Sequence, residues 1–208
     1  MLLSEMEPDK VSRANKAMAK AYKPARERIT EFKINWNIVS WPGKAWAKRV
    51  FPELDTDEAV VKLADAIFDA SRASVEDPVK AWDDHNEKLR IKTNWLNDQN
   101  FSALQYNGPN TNLRVGLADE HEWMGGASKA QNGIICNPNI PSEEVFTTPH
   151  AYKVEGTVVS TKPLSYQGTL IENIKVTFEE GKIVEASASK GEEVLHKVIK
   201  SDEGASRI

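Results

Sequence analysis

The sequence predicts an α/β fold of the α+β kind, in which a helix-rich α/β layer precedes a β-rich, mainly antiparallel portion. Helical periodicity and helix caps dominate residues 1–100, and one strand lies among these helices. Beyond Asn100, short runs of β-forming residues alternate with turn residues. We therefore expect a layered fold with a domain boundary near residue 100.

The first element is an amphipathic helix over residues 8–32, which we expect to kink at Pro24. Its apolar face consists of Val11, Ala14, Met18, Ala21, Tyr22, Ala25 and Ile29. Polar and apolar residues then alternate over residues 33–41, in a segment rich in β-formers that precedes Pro42. This pattern predicts a strand.

Two further helices are predicted from their caps. Asp55 and Glu58 have the spacing of a capping box ahead of an apolar run. Asp77 followed by Pro78 is typical of an N-cap with proline at the first helical position. A last helix is predicted over residues 192–200.

The β-rich portion begins with a predicted hairpin, whose strands cover residues 101–106 and 113–117 around a turn at 107–110. Three more strands are predicted over residues 152–162, 169–178 and 182–188. A tight turn at residues 179–181 joins the last two.

Composition excludes several classes of partner. The 208 residues contain 40% hydrophobic residues, enough for a core, and 27 basic against 31 acidic residues give a net charge of −4. Such a chain has no positive electrostatic field that attracts nucleic acid or an anionic membrane.

No apolar run approaches the roughly 20 residues of a membrane span, and residues 1–7 lack signal-peptide character. With Cys136 as its single cysteine, the chain is expected in the cytoplasm, and we expect this thiol to be a buried strand end.

The most informative loop carries the adjacent acids Glu143 and Glu144 between Pro141 and Pro149. The prolines restrict the backbone, and neighbouring side chains on an extended segment point to opposite faces, so one acid should face inward and the other water. Adjacent glutamates are most often a solvated edge. The apolar residues around this pair favour a paired, metal-ligating or proton-handling carboxylate instead.

Other residues give weaker signals. None of the four histidines has the spacing of a local zinc signature, and the sequence contains no nucleotide-binding motif. We expect His85 and His196 to lie on solvated helix faces, His121 to lie in a polar turn, and His150 to act at best as a neighbour of a ligand. We interpret the six tryptophans mainly as core packing. No catalytic residue can be named from the sequence.

Several ordered motifs resemble the thermophilic-type metallo-aminopeptidase family, and the resemblance covers nearly the whole chain. They are NLRVGL at 112–117, WMGG at 123–126, NIPSEEVFT at 139–147, TKPLSY at 161–166, FEEGKIV at 178–184, GEEVL at 191–195 and DEGA at 202–205. Asn112 and Ser142 stand where the family has Asp and Thr.

The resemblance implies a cytoplasmic homodimer that removes N-terminal residues from peptides with two divalent metal ions, zinc or cobalt. It implies that Glu144 is a metal ligand, or Glu143 if the alignment shifts by one residue. Residues 1–100 would be the C-terminal part of an N-terminal α/β domain, and residues 101–208 a truncated N-terminal part of the metallopeptidase domain. Because the family's later ligands lie beyond Ile208, we expect the chain to be a central fragment that is inactive alone.

Two other functions remain open. The chain can be a non-catalytic α/β binding or assembly module, in which the loop acids only accept hydrogen bonds from backbone amides. A carboxylate-pair glycoside hydrolase would need two acids opposed across a cleft, and the sequence shows no sign of that geometry.

Overall fold

The computed structural model describes residues 8–166 and 169–207, which form five α-helices and thirteen β-strands. The helices are α1 (Pro8–Thr30), α2 (Lys44–Val50), α3 (Thr56–Ala70), α4 (Pro78–Gln99) and α5 (Glu192–Ile199). The first eight strands are β1 (Ile38–Val39), β2 (Ala103–Gly108), β3 (Thr111–Leu117), β4 (Met124–Gly125), β5 (Ser128–Lys129), β6 (Ile135–Cys136), β7 (Asn139–Ile140) and β8 (Val145–Phe146). The others are β9 (Pro149–Val159), β10 (Leu164–Tyr166), β11 (Thr169–Ile171), β12 (Lys175–Glu179) and β13 (Lys182–Ser187).

These helices and mainly antiparallel strands confirm the α+β prediction. The prediction about a signal peptide rests on residues 1–7, which lie outside the described residues, as does the side chain of Val11. Among the residues described, no helix has the length and apolar character needed to cross a membrane.

The described chain divides into two compact units. The first contains residues 8–95 and Met124–Phe146, and the second contains Leu96–Trp123 and residues 147–207. A small apolar cluster in the first unit consists of Ala47, Ala59 and Leu63, and the cluster in the second consists of Leu113, Val115, Val154 and Phe178. The domain boundary near residue 100 stays a prediction.

Both predicted caps are confirmed in the first unit. The Asp55 carboxylate accepts hydrogen bonds from the backbone N–H groups of Asp57 and Glu58, at 2.9 and 3.1 Å, and opens α3. Asp77 accepts from the Lys80 N–H at 2.9 Å and opens α4 at Pro78. The sequence reasoning did not predict α2, which is only seven residues long and follows Gly43, a residue without a capping side chain.

The strand predicted over residues 33–41 is wrong in extent, because only β1 forms there. β1 pairs in parallel with β7, with Ile38 opposite Asn139. The Ile38 N–H donates to the Pro138 carbonyl, but Pro138 has no backbone N–H to donate in return, so the ladder cannot extend ahead of β7.

The second unit is built on an antiparallel sheet with strand order β13-β12-β9-β3-β2. The predicted hairpin is confirmed as β2 and β3, and its turn contains Asn110 with a positive φ of 59°. The strand predicted over residues 169–178 is interrupted between β11 and β12, where Asn173 has a φ of 53°. The last helix is confirmed as α5.

Several apolar side chains face solvent, contrary to prediction. Trp41, Trp46 and Trp95 are 78%, 45% and 55% exposed, so the interpretation of the tryptophans as core packing is wrong for these three. Met18 and Tyr22 on α1 are exposed as well. The amphipathic pattern of α1 therefore does not correspond to burial within the described chain.

Candidate functional site

The loop that carries Glu143 and Glu144 lies between two short strands of the first unit. β7 ends at Ile140 against β1, and β8 begins at Val145, where it pairs antiparallel with β4. The pairing with β4 is close: a Cβ atom added to Gly125 would lie 2.8 Å from the carbonyl oxygen of Glu144. Backbone pairing therefore fixes both ends of the loop.

The Glu143 carboxylate is bound by Arg72. Arg72 Nη1 donates to Glu143 Oε1 at 2.6 Å, and Arg72 Nη2 donates to Glu143 Oε2 at 3.1 Å. This is the two-point geometry in which a guanidinium fits a carboxylate best. The hydrogen bonds from Arg72 hold the pKa of Glu143 below its ordinary value, so the carboxylate stays charged at neutral pH.

His85 supports the same loop from α4. Arg72 Nη2 also lies 3.2 Å from His85 Nδ1, and His85 Nε2 lies 2.6 Å from the carbonyl oxygen of Ser142. Because a guanidinium can only donate, Nδ1 accepts, and the ring proton lies on Nε2 and is donated to Ser142. His85 is only 9% exposed, so the prediction of a solvated helix face is wrong for this residue.

Arg72 is held by the end of α3. Its N–H donates to the Asp69 carbonyl, and the Ala73 N–H donates to the Phe68 carbonyl, the two hydrogen bonds of a Schellman motif. Arg72 has a φ of 57° in the position that most often holds glycine.

Trp82 on α4 packs beside this turn. Its indole N–H donates to the Ser71 carbonyl at 2.8 Å, and the Arg72 guanidinium carbon lies 5.3 Å from the centre of the indole ring. The Trp82 and His85 rings meet edge to face, with centroids 5.5 Å apart.

An amide pair joins α4 to the segment that precedes β7. Asn86 and Asn137 exchange side-chain hydrogen bonds at 2.8 and 3.0 Å. Asn86 Oδ1 also accepts from the backbone N–H of Ala127 at 3.0 Å. The helix that carries His85 is thereby fixed to the segment before β7 and, at Ala127, to the segment after β4.

Glu144 differs from its neighbour in its partners rather than in its burial. Both residues are exposed, so the expectation that one acid faces inward is wrong. Within residues 8–166 and 169–207, the Glu144 carboxylate has no hydrogen bond or ion pair. It lines an open pocket of about 420 Å³ between residues 38–40 and 139–144.

A single carboxylate does not make a metal centre. An unpaired Glu oxygen is a good ligand for zinc or cobalt, so the chemistry of Glu144 fits the predicted metal. Zinc takes about four ligands, and the described part of the chain contains no group of three His, Cys, Asp or Glu side chains able to hold an ion. The described residues thus offer one donor of a larger set.

The remaining residues considered in the sequence have local roles. His121 Nδ1 lies 3.0 Å from the Ala118 carbonyl in a turn, and His150 Nδ1 accepts from the Tyr152 N–H at 3.1 Å. His196 is half-buried, 3.9 Å from Glu192. Cys136 lies in β6 and is half-buried rather than buried.

Comparison with known proteins identifies the family. All residues from 1 to 208 match the model of the thermophilic metalloprotease family M29. The chain belongs to this family. It is 52% identical to aminopeptidase T of Thermus thermophilus over 206 residues, and 41% identical to aminopeptidase 2 of Geobacillus stearothermophilus over 207 residues.

These matches cover 99% and 100% of the chain and 50% of each relative, so the chain spans about half the length of the curated relatives it matches. The structure of wild-type AmpT from Thermus thermophilus superposes with a TM-score of 0.91 at 50% identity, over 99% of this chain and 50% of that one. The family expected from the motifs and the fold class predicted from the helical and strand patterns are both confirmed.

Sequence reasoning missed Arg72 and misjudged His85. Trp82, His85 and Leu89 recur at helical spacing, and this periodicity was a signal that His85 faces inward with its two large neighbours. Nothing around Arg72 indicated a partner 71 residues away.

Proposed function

We propose that the chain is part of a metal-dependent aminopeptidase that removes N-terminal residues from peptides. The observation that carries the proposal is the 52% identity to aminopeptidase T over 99% of the chain. The M29 family is one of metalloproteases, and five curated relatives named as aminopeptidases match between 95% and 100% of the chain.

We infer that Glu144 is the metal ligand in this part of the enzyme. Its carboxylate is exposed and has no partner among the described residues, whereas Arg72 occupies both oxygens of Glu143. A ligand must present a lone pair to the ion, and only Glu144 of the two acids has both oxygens available for that purpose. The contrast supports Glu144 over the alternative, Glu143.

The resemblance further supports two ions, zinc or cobalt, with ligands beyond Glu144 that the described residues do not provide. When bound, such ions acidify a water molecule and polarise the scissile carbonyl. The role of this chain is to hold the Glu144 carboxylate in a fixed loop. We also propose a cytoplasmic homodimer and a domain boundary near residue 100, with the metallopeptidase domain beginning there.

The 208 residues alone are expected to be inactive, because one carboxylate cannot hold a catalytic ion. The test compares this chain with the product of the complete reading frame that contains it, assayed on an amino-acyl anilide with added cobalt. We expect hydrolysis by the latter only, and its loss in Glu144→Ala. Strong hydrolysis by the 208-residue chain would contradict the expected inactivity.

A non-catalytic binding or assembly module is the second candidate, and the lack of a three-ligand cluster in the described ranges favours it. Calorimetric titration with zinc or cobalt separates the two functions. Tight, stoichiometric binding by the complete product, abolished in Glu144→Ala, supports the enzyme. Absence of binding by that product supports the module.

A further inference from the structure

We propose that Arg72 and His85 are positioning residues that determine which of the two adjacent glutamates binds metal. Arg72 holds the Glu143 carboxylate at both oxygens, and His85 holds the backbone of the loop at the Ser142 carbonyl. Glu144 is then the acid whose carboxylate is available to bind a metal ion. The inference rests on the proposed role of Glu144 as a ligand.

Arg72 and His85 together form what we call the clamp, and its hydrogen bonds have a defined geometry. One guanidinium nitrogen, Arg72 Nη2, has two hydrogens and donates both to Glu143 Oε2 and to His85 Nδ1. That contact sets the proton of His85 on Nε2, from which it is donated to Ser142. Carboxylate, guanidinium, imidazole and loop carbonyl thus form one continuous chain of hydrogen bonds.

Both clamp residues are held in place by helices. Arg72 is fixed by the hydrogen-bonded end of α3, and His85 is buried on α4 beside Trp82. On the other side of the loop, β4 lies against the Glu144 backbone at Gly125. Glu144 therefore presents its carboxylate from a backbone that is held on both sides, and less conformational freedom is lost when a ligand set closes around an ion.

Without the clamp, the two acids would compete. Both are exposed, both have the same side chain, and their positions differ by one residue. Freeing Glu143 would let it compete with Glu144 for the ion and would release the loop backbone that positions Glu144. Removal of residues that orient a metal ligand typically weakens metal affinity about 10-fold to 100-fold.

The test measures the apparent Kd for Co²⁺, from its visible absorption spectrum, in the complete aminopeptidase reading-frame product. We expect Arg72→Gln to raise this Kd about 10-fold or more, and His85→Phe to raise it in the same direction. Glu143→Gln breaks the ion pair but leaves no competing carboxylate, so it should raise the Kd by a smaller factor. The KM for peptide at saturating Co²⁺ should stay unchanged. Arg72→Lys, which keeps the charge but not the two-point contact, should give an intermediate Kd.

The matched control is Glu87→Gln. Glu87 on α4 makes a similar two-point pair with Arg90, at 2.8 and 2.6 Å, but it lies within a single exposed helix face. The Glu87→Gln substitution should leave the Co²⁺ affinity and the absorption spectrum of the bound Co²⁺ unchanged. Thermal unfolding of each variant separates lost positioning from lost folding, and Glu143 is 61% exposed at its side chain, so its substitution leaves the core intact.

The outcomes distinguish this inference from the proposed function. If Glu144→Ala abolishes Co²⁺ binding while Arg72→Gln and Glu143→Gln match Glu87→Gln, the clamp has no positioning role and the function stands. If Glu144→Ala binds Co²⁺ like the native protein, Glu144 is not a ligand, and this inference is overturned with it.

Discussion

At the scale of single residues, the two loop glutamates have identical side chains and differ in their hydrogen-bond partners rather than in their burial. Both are exposed, yet only Glu143 meets a guanidinium. In an isolated extended strand, neighbouring side chains alternate between faces, and one of the two acids would point inward. The partner, Arg72 in the turn that follows α3, produces the asymmetry instead, and it lies 71 residues earlier in the chain.

Gly156 in the central strand β9 is a second residue whose identity follows from its contacts. Its φ is +106°, and an added Cβ would lie 2.1 Å from the Asn112 carbonyl oxygen. Because the backbone of β3 cannot retreat without losing its pairing to β9, we expect Gly156→Ala to lower the free energy of unfolding by at least about 2 kcal/mol. Urea denaturation monitored by circular dichroism measures the change.

Gly108 provides the control for that substitution. It lies at the end of β2 in the same sheet, and apart from Gly108 itself and its two chain neighbours no atom lies within 4 Å of an added Cβ. Gly108→Ala should change the unfolding free energy by no more than about 0.5 kcal/mol. Equal effects of the two substitutions would show that the close approach at Asn112 carries no energetic cost.

At the scale of elements, local signals were sufficient where the partner is near in sequence. Asp55 caps α3 through N–H groups two and three residues away, and the β2–β3 hairpin closes through a turn at Asn110. The length of β1 was overestimated because its partner β7 lies about 100 residues further along, and alternation within residues 33–41 cannot reveal that Pro138 limits the ladder.

The N-cap of α3 makes the stability of this element depend on pH. Hydrogen bonds from the Glu58 and Asp57 N–H groups hold the pKa of Asp55 below its ordinary value. A carboxyl with a lowered folded-state pKa contributes stability above its unfolded pKa, and that contribution disappears as the pH falls through the folded value. The stabilisation is therefore present at neutral pH and lost in acid.

Asp55→Asn isolates this effect, because asparagine also caps helices but does not ionise. We expect native protein to exceed the variant in thermal midpoint at pH 7, and the difference to shrink as the pH falls below the ordinary Asp range. Thermal unfolding followed by circular dichroism across this pH range gives the comparison. A difference that is constant with pH would contradict a role for the ionised carboxylate.

At the scale of the whole molecule, the ordered motifs identified the family, and the structure explains why they could not complete the site. Glu144 was named through the resemblance, whereas Arg72, from the turn after α3, and His85, from α4, meet the loop only in the folded first unit. Their assembly depends on a helix end and a helix face that no short motif around residues 139–149 encodes.

The division of the described chain into two units leads to a prediction about its unfolding. Leu63 in the first unit and Leu113 in the second are 4% and 6% exposed, and each belongs to its own apolar cluster. Truncating a buried leucine to alanine costs about 2–5 kcal/mol. If each unit unfolds around its own cluster, two calorimetric transitions should be seen. Leu63→Ala should then lower the midpoint temperature of one transition, and Leu113→Ala that of the other. Because the two substitutions are chemically identical and similarly buried, their comparison needs no correction for side-chain type.

A single transition whose midpoint temperature is lowered equally by both substitutions would show that the units unfold together, and it would contradict the proposal of two domains.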